Sequence, residues 1–178
     1  MSTFTRETLQ ELLAHVAWAD DQVWNAVLAA PRAHDDVGIR DYLHHIHLVQ
    51  GLFLALWTGG PAEAIASRQP SEFTLDSLRE WGRPFYSGAA AFLASATPAR
   101  LDQPLQAPWA VRLEEQMGRK LDAPTVAETV FQVVNHTTHH RAQVSTRLRG
   151  VGGEPPLVDY IAWVWFGRPA PLARALGA

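Results

Sequence analysis

Two histidine-rich stretches carry the chemistry of this sequence: Leu43-His44-His45-Ile46-His47 and Asn135-His136-Thr137-Thr138-His139-His140-Arg141. Neutral imidazole suits zinc, nickel, copper and iron alike. His136 and His140 stand four residues apart, so on a helix their rings rise from one face, one turn apart, and can share an ion. A third nitrogen from a facing helix would complete a three-ligand set with open positions for water or substrate, the arrangement of catalytic rather than closed structural sites. Thr137 follows His136 where zinc proteases carry glutamate, so the motif supplies no general base of its own.

Helical geometry ranks the candidates. Residues three, four and seven apart share a face. The neighbours of His45 on that rule include Tyr42, Leu48, Val49 and Leu52, whereas His44 and His47 share Arg40 and Gly51. This pattern turns His45 inward and His44 and His47 toward solvent or the bundle rim. In the second cluster His140 lies with Val133, His136, Thr137 and Val144, while His139 falls among Gln132, Asn135, Gln143 and Thr146. His45, His136 and His140 are therefore the expected ligands. A single histidine on an apolar face is ordinarily a hydrogen-bonded core residue; the helical pair together with an inward partner on a second helix is what favours a metal.

The elements that must position these rings read as helices. Apolar residues recur at helical spacing over about 6–29, and Pro31 with the polar run through Asp36 ends that segment. A second helix is expected over about 39–57, closed by Gly59-Gly60-Pro61, and 62–71 reads as a loop. A third runs from about Thr74 to Ala96 with Pro84 interrupting it, and a fourth from Thr125 to Arg149. Between them, 97–123 reads as a long connection holding a short hairpin or extended piece near Trp109 to Leu113, and Leu157 to Phe166 as a short final helix. The expected fold class is all-α: one domain over residues 1–178, a four-helix bundle with a long crossover between its third and fourth helices.

Composition narrows the function classes. With 47% hydrophobic and 19% charged residues the chain has a globular balance. A formal net charge of -3 gives no basic footprint for nucleic acid. No cysteine is present, which removes thiolate sites and leaves nitrogen and oxygen donors for any metal. The stretch Met1 to Gln10 has no apolar leader pattern, and the apolar run Leu52 to Trp57 is too short to cross a bilayer, so a cytoplasmic location with no membrane partner is expected.

The stretch Val134 to Val144 resembles the fourth-helix signature of the DinB-like, or YfiT-like, metal-binding bundles, whose usual form is N-H-x-x-x-H-R-x-Q. Leu148 to Pro156, continuing through Asp159-Tyr160, is similar to that family's exit from the helix. Leu43-His44-His45-Ile46, with the apolar and aromatic residues to Phe53 and Trp57, is similar to its second-helix motif and selects His45 again; His15 to Asp20 resembles the first helix more weakly. Ala142 departs from the family's frequent glycine. The resemblance implies three histidines, His45, His136 and His140, holding a divalent ion such as zinc or nickel. It also implies homodimers, and in some relatives transferase or isomerase chemistry with a low-molecular-weight thiol such as mycothiol or bacillithiol.

Two functional classes follow. One is a metal-dependent enzyme acting on a small molecule, such as a thiol-dependent S-transferase or a hydrolase; the other is a non-catalytic stress-response protein whose metal stabilises the bundle. Arg141 is expected in an ion pair more readily than as an anion-steering group. Gln143 and Asn135 are candidates to orient ligand imidazoles. Asp20 and Asp21 are expected on a solvated helix face, and Tyr160, Trp163, Trp165 and Phe166 in core or dimer packing rather than on a separate interaction surface.

Overall fold

The computed structural model describes residues 4–171, so the expected domain of 1–178 and the stretch Met1 to Gln10 each reach beyond it. The order of elements is α1 (Arg6–Ala29), α2 (Val37–Thr58), α3 (Ala62–Ala66), α4 (Leu75–Gly82), α5 (Pro84–Ser95), α6 (Pro98–Leu101), α7 (Ala110–Met117), α8 (Val126–Gly150) and α9 (Tyr160–Trp165), with single 3-10 turns at Pro31–Ala33 and Pro70–Glu72. The fold is all-α. Its one extended feature among the described residues is an isolated bridge between Pro104 and Thr125.

Local chemistry sets the ends of the two helices that matter most. Asp36 caps α2 by accepting from the backbone N–H of Ile39 at 2.8 Å, and Gly59, at φ 74°, closes it in the left-handed region that glycine enters without a Cβ clash. Thr125 and Glu128 form a reciprocal capping box at the start of α8. The third long helix is broken: Pro84 has no N–H to donate, and α4 gives way to α5 at Arg83.

Two expectations are corrected. The stretch 62–71, read as a loop, holds α3 and a 3-10 turn. The stretch around Trp109 to Leu113, read as extended, begins the amphipathic α7, which ends at Gly118 with φ 64°. Alternation over only five residues fits one face of a short helix as well as a strand.

Helices α2 and α8 run antiparallel and form the most extensive pairing, with α1 and α5 packed alongside. Four contacts give the register along them. Arg147 donates to Asp36 at 2.6 Å, His45 meets His136, Gln50 donates to Thr137 at 3.3 Å, and Trp57 donates to Thr129 at 3.0 Å. One apolar cluster surrounds Leu9, Val16, Leu93, Val126 and Val130; a second surrounds Val27, Ile39, Leu78, Val144 and Leu148. Between these two apolar layers lies a belt of buried polar groups. No described helix is long and apolar enough to cross a membrane.

The close approach of α4 to α2 depends on Gly82, because a Cβ there would collide with the His47 ring. Gly82→Ala is expected to lower stability by about 1–3 kcal/mol through overpacking. Gly150→Ala, with nothing near its added methyl, should be neutral or slightly stabilising. Urea denaturation of the two variants checks the contrast.

Candidate metal centre

The antiparallel pairing of α2 and α8 brings His45, His136 and His140 together. One ligand-type nitrogen from each lies within 4.8 Å of the others, so the three could hold a metal ion. The Nε2 atoms of His45 and His136 face each other at 3.1 Å. Nitrogens bound tetrahedrally to zinc would stand about 3.3 Å apart, given bonds of about 2.0–2.1 Å, so the spacing suits a shared cation. His140 closes the group, with its ring centroid 4.3 Å from that of His136 and 4.5 Å from that of His45. No aspartate or glutamate joins the group among the described residues.

His140 is held from behind. Its Nδ1 pairs with Gln143 Oε1 at 2.6 Å, and since that oxygen only accepts, Nδ1 carries the proton and Nε2 presents a lone pair. Tyr42 stacks on the same ring at 6.3 Å. The Nδ1 of His136 is buried with no hydrogen-bond partner, and Asn135 is exposed. Burial is the main force holding His136 neutral, and repulsion from His140, then His45 and His139, adds to it; the ring's pKa falls to about 4. His45 is lowered for the same first reason, with His140 and His44 adding repulsion. Neutral rings are the form a cation needs.

The structure reverses the expected orientation of the other α2 histidines. His44 is 5% exposed and His47 3%, and both are more buried than His45. The flank of α2 that the polar neighbours Arg40 and Gly51 marked as outward is covered by α3 and α4. His44 stacks on Trp81 at 5.3 Å, and Gly51 lies against Ile65. His139 is exposed as expected, edge-on to His140 at 4.9 Å. His45 thus belongs to the cluster because it faces the open α2–α8 seam, not because it points into the core.

Asp20 and Asp21, expected on a solvated face, are buried at 4% and 6% exposure. Arg79 reaches Asp21 at 2.7 Å. Asp20 is the hub of the polar belt. Arg141 donates to its Oδ1 at 2.8 Å, and Tyr86 and Gln50 donate to its Oδ2 at 2.9 and 3.1 Å. Gln50 also donates to Thr137, and its Oε1 accepts from His47 Nδ1 at 2.9 Å, while His47 Nε2 accepts from Trp24 at 3.1 Å. Arg141 is therefore the interhelical ion-pair residue that its position suggested, and Asp20 is fully engaged. Gln50, Trp24 and Tyr86 carry no sequence motif; a glutamine inside an apolar helical run was the only available hint.

The aromatic tail divides. Trp163 is buried against Trp18 and Ala19, and His15 fastens the tail by bonding Val158 O at 2.9 Å. Tyr160, Trp165 and Phe166 are exposed.

Two grooves lie along the α2–α8 seam, one on either side of the histidine group, and none of its three rings lines either of them. One, of about 630 Å³, is lined by Tyr42, His139, Gln143, Thr146 and Arg147; the other, of about 590 Å³, lies under α7 and reaches Gln132, one turn before His136.

The chain is thus an all-α protein in which three imidazoles that could hold a metal ion gather between two antiparallel helices. The sequence model of the DinB family matches residues 1–169, and the chain belongs to that family. No curated protein and no solved structure matches it.

Two outcomes test this geometry. Arg141→Ala strands the buried Asp20 carboxylate and is expected to cost about 3–5 kcal/mol in urea denaturation. Because the folded-state pKa of His136 is depressed, the unfolded chain binds the extra proton first as pH falls. Metal-free protein should therefore be most stable above about pH 6.5 and lose stability progressively toward pH 4. His136→Gln should flatten part of that slope.

Proposed function

We propose that the protein binds one divalent metal ion through His45, His136 and His140 and uses it as an enzyme acting on a small molecule. The observation that carries this reading is the convergence of three imidazole nitrogens within 4.8 Å of one another. Zinc and nickel both suit an all-imidazole donor set. When bound, such an ion keeps its full charge and lowers the pKa of a water or thiol at an open position.

The protein's own groups limit the reaction class. Asp20 is buried, accepts from Arg141, Tyr86 and Gln50, and stands outside the histidine group. No carboxylate stands in the histidine group among the described residues, so none of them brings an acid or base of that kind to the centre. That economy suits a co-substrate that carries its own nucleophile, and a low-molecular-weight thiol is such a molecule; transfer to or from sulfur is the reaction proposed, with hydrolysis by a metal-activated water as the variant. Three protein ligands with no fourth among the described residues would leave positions open on the ion, which favours this enzymatic reading over a purely stabilising metal with a closed shell.

Isothermal titration of the metal-free protein with zinc or nickel should give one equivalent bound. His45→Ala, His136→Ala and His140→Ala should each weaken binding by at least about 100-fold, and Gln143→Ala by about 10- to 100-fold. Stoichiometric metal retained in all three histidine variants would contradict the assignment.

A further inference from the structure

The groove under α7 is distinct in character from the rest of the seam. α7 has no buried residue, and Trp109, Val111, Leu113 and Met117 are 37%, 60%, 44% and 54% exposed. An amphipathic helix ordinarily buries its apolar stripe, yet this one stands off from α8 and leaves a cavity of about 590 Å³, within the range of small-molecule sites. The segment bearing it is pinned at its base, where Leu105 N–H bonds Pro124 O at 2.8 Å and Val126 N–H bonds Gln103 O at 2.9 Å. Trp109 sets its edge against Phe53 at 5.4 Å, so the inner wall is aromatic.

The groove lies along the same seam as the histidines, although none of the three lines it. Phe53 lies eight residues after His45 on α2, and Gln132 lies four residues before His136 on α8; both line it. At 5.4 Å per helical turn, the near end of the groove is about one turn from His136 and its aromatic wall about two turns from His45. Three of its charged groups are committed: Glu114 pairs with Lys120 at 3.1 Å and accepts from Leu121 N–H, and Glu128 caps α8. These carboxylates, with Asp122, disfavour an anionic occupant. The groove at the opposite end carries Arg147, Asp36 and Thr146 instead, so the two ends of the seam differ in polarity.

We propose that the α7 groove is the apolar subsite of the three-histidine centre, taking an aryl or branched-alkyl arm of the same small molecule whose donor group meets the histidine centre. This rests on the metal-binding reading above and adds the substrate class: a molecule with a metal-seeking head and an uncharged apolar arm about one helical turn long.

The test uses full-length protein loaded with Co2+ and two probes, acetohydroxamate and 4-phenylbutanohydroxamate, titrated while the visible absorption of the cobalt is followed. Both carry the same head and differ in the arm. The phenyl compound is expected to bind about tenfold or more tightly than acetohydroxamate. Trp109→Ala and Leu113→Glu, at partly exposed positions and checked for fold by circular dichroism, should each erase most of that advantage and leave acetohydroxamate affinity unchanged. Cobalt uptake followed by equal affinities, by no hydroxamate binding, or by an advantage that survives both substitutions overturns the subsite alone. A protein that takes up no cobalt overturns the metal reading and the subsite with it.

Discussion

The buried ion pair between Asp20 and Arg141 is the constraint on which the seam depends. Two opposite charges withdrawn from water are tolerable only when further hydrogen bonds support them; here Tyr86 and Gln50 donate to Asp20, and Arg141 donates to Thr138. The network ties α1, α2, α5 and α8 at one level of the bundle. Shifting α8 along α2 by one turn would strand a charge, so the register is strongly specified. Apolar packing alone tolerates such slips more readily, because leucine and valine contacts are non-directional.

That inner fastening explains the outer geometry. Thr137 and Arg141, each one residue after a cluster histidine on α8, are held by the network, and His47, two residues after His45, is held by Trp24 and Gln50. The backbone beneath all three cluster rings is therefore fixed from the core side, while the rings meet on the side that opens to the grooves. Gln143 then fixes the tautomer of His140. A rigid frame with a few open positions is what preorganised binding needs, because little ordering remains to be done when a ligand arrives.

Much of this was legible in the sequence, though not always for the right reason. Helical periodicity located α1, α2 and α8 to within about two residues, because long amphipathic stretches with strong caps leave little ambiguity. The four-residue spacing of His136 and His140 needed nothing beyond helical geometry. His45 was selected by its apolar neighbours, yet it is the most open of the three α2 histidines. The wheel treats one flank of a helix as buried, whereas α2 is covered by α8, α5, α4 and α3 on different sides. For the same reason Asp20, Asp21, His44 and His47 read as solvated from local composition: a buried charge is recognisable only from its partner, and Arg141 is 121 residues away from Asp20 in the chain. The helix α7 and its groove were illegible because five alternating residues fit either helix or strand.

The central claim is that three imidazoles on two helices form one cation site. Anomalous diffraction at the zinc edge, from crystals of the protein grown with one equivalent of zinc, locates the ion directly. The account predicts a single strong peak about 2.0–2.1 Å from the Nε2 atoms of His45, His136 and His140. A peak held by other residues, or none at the α2–α8 seam, would contradict it.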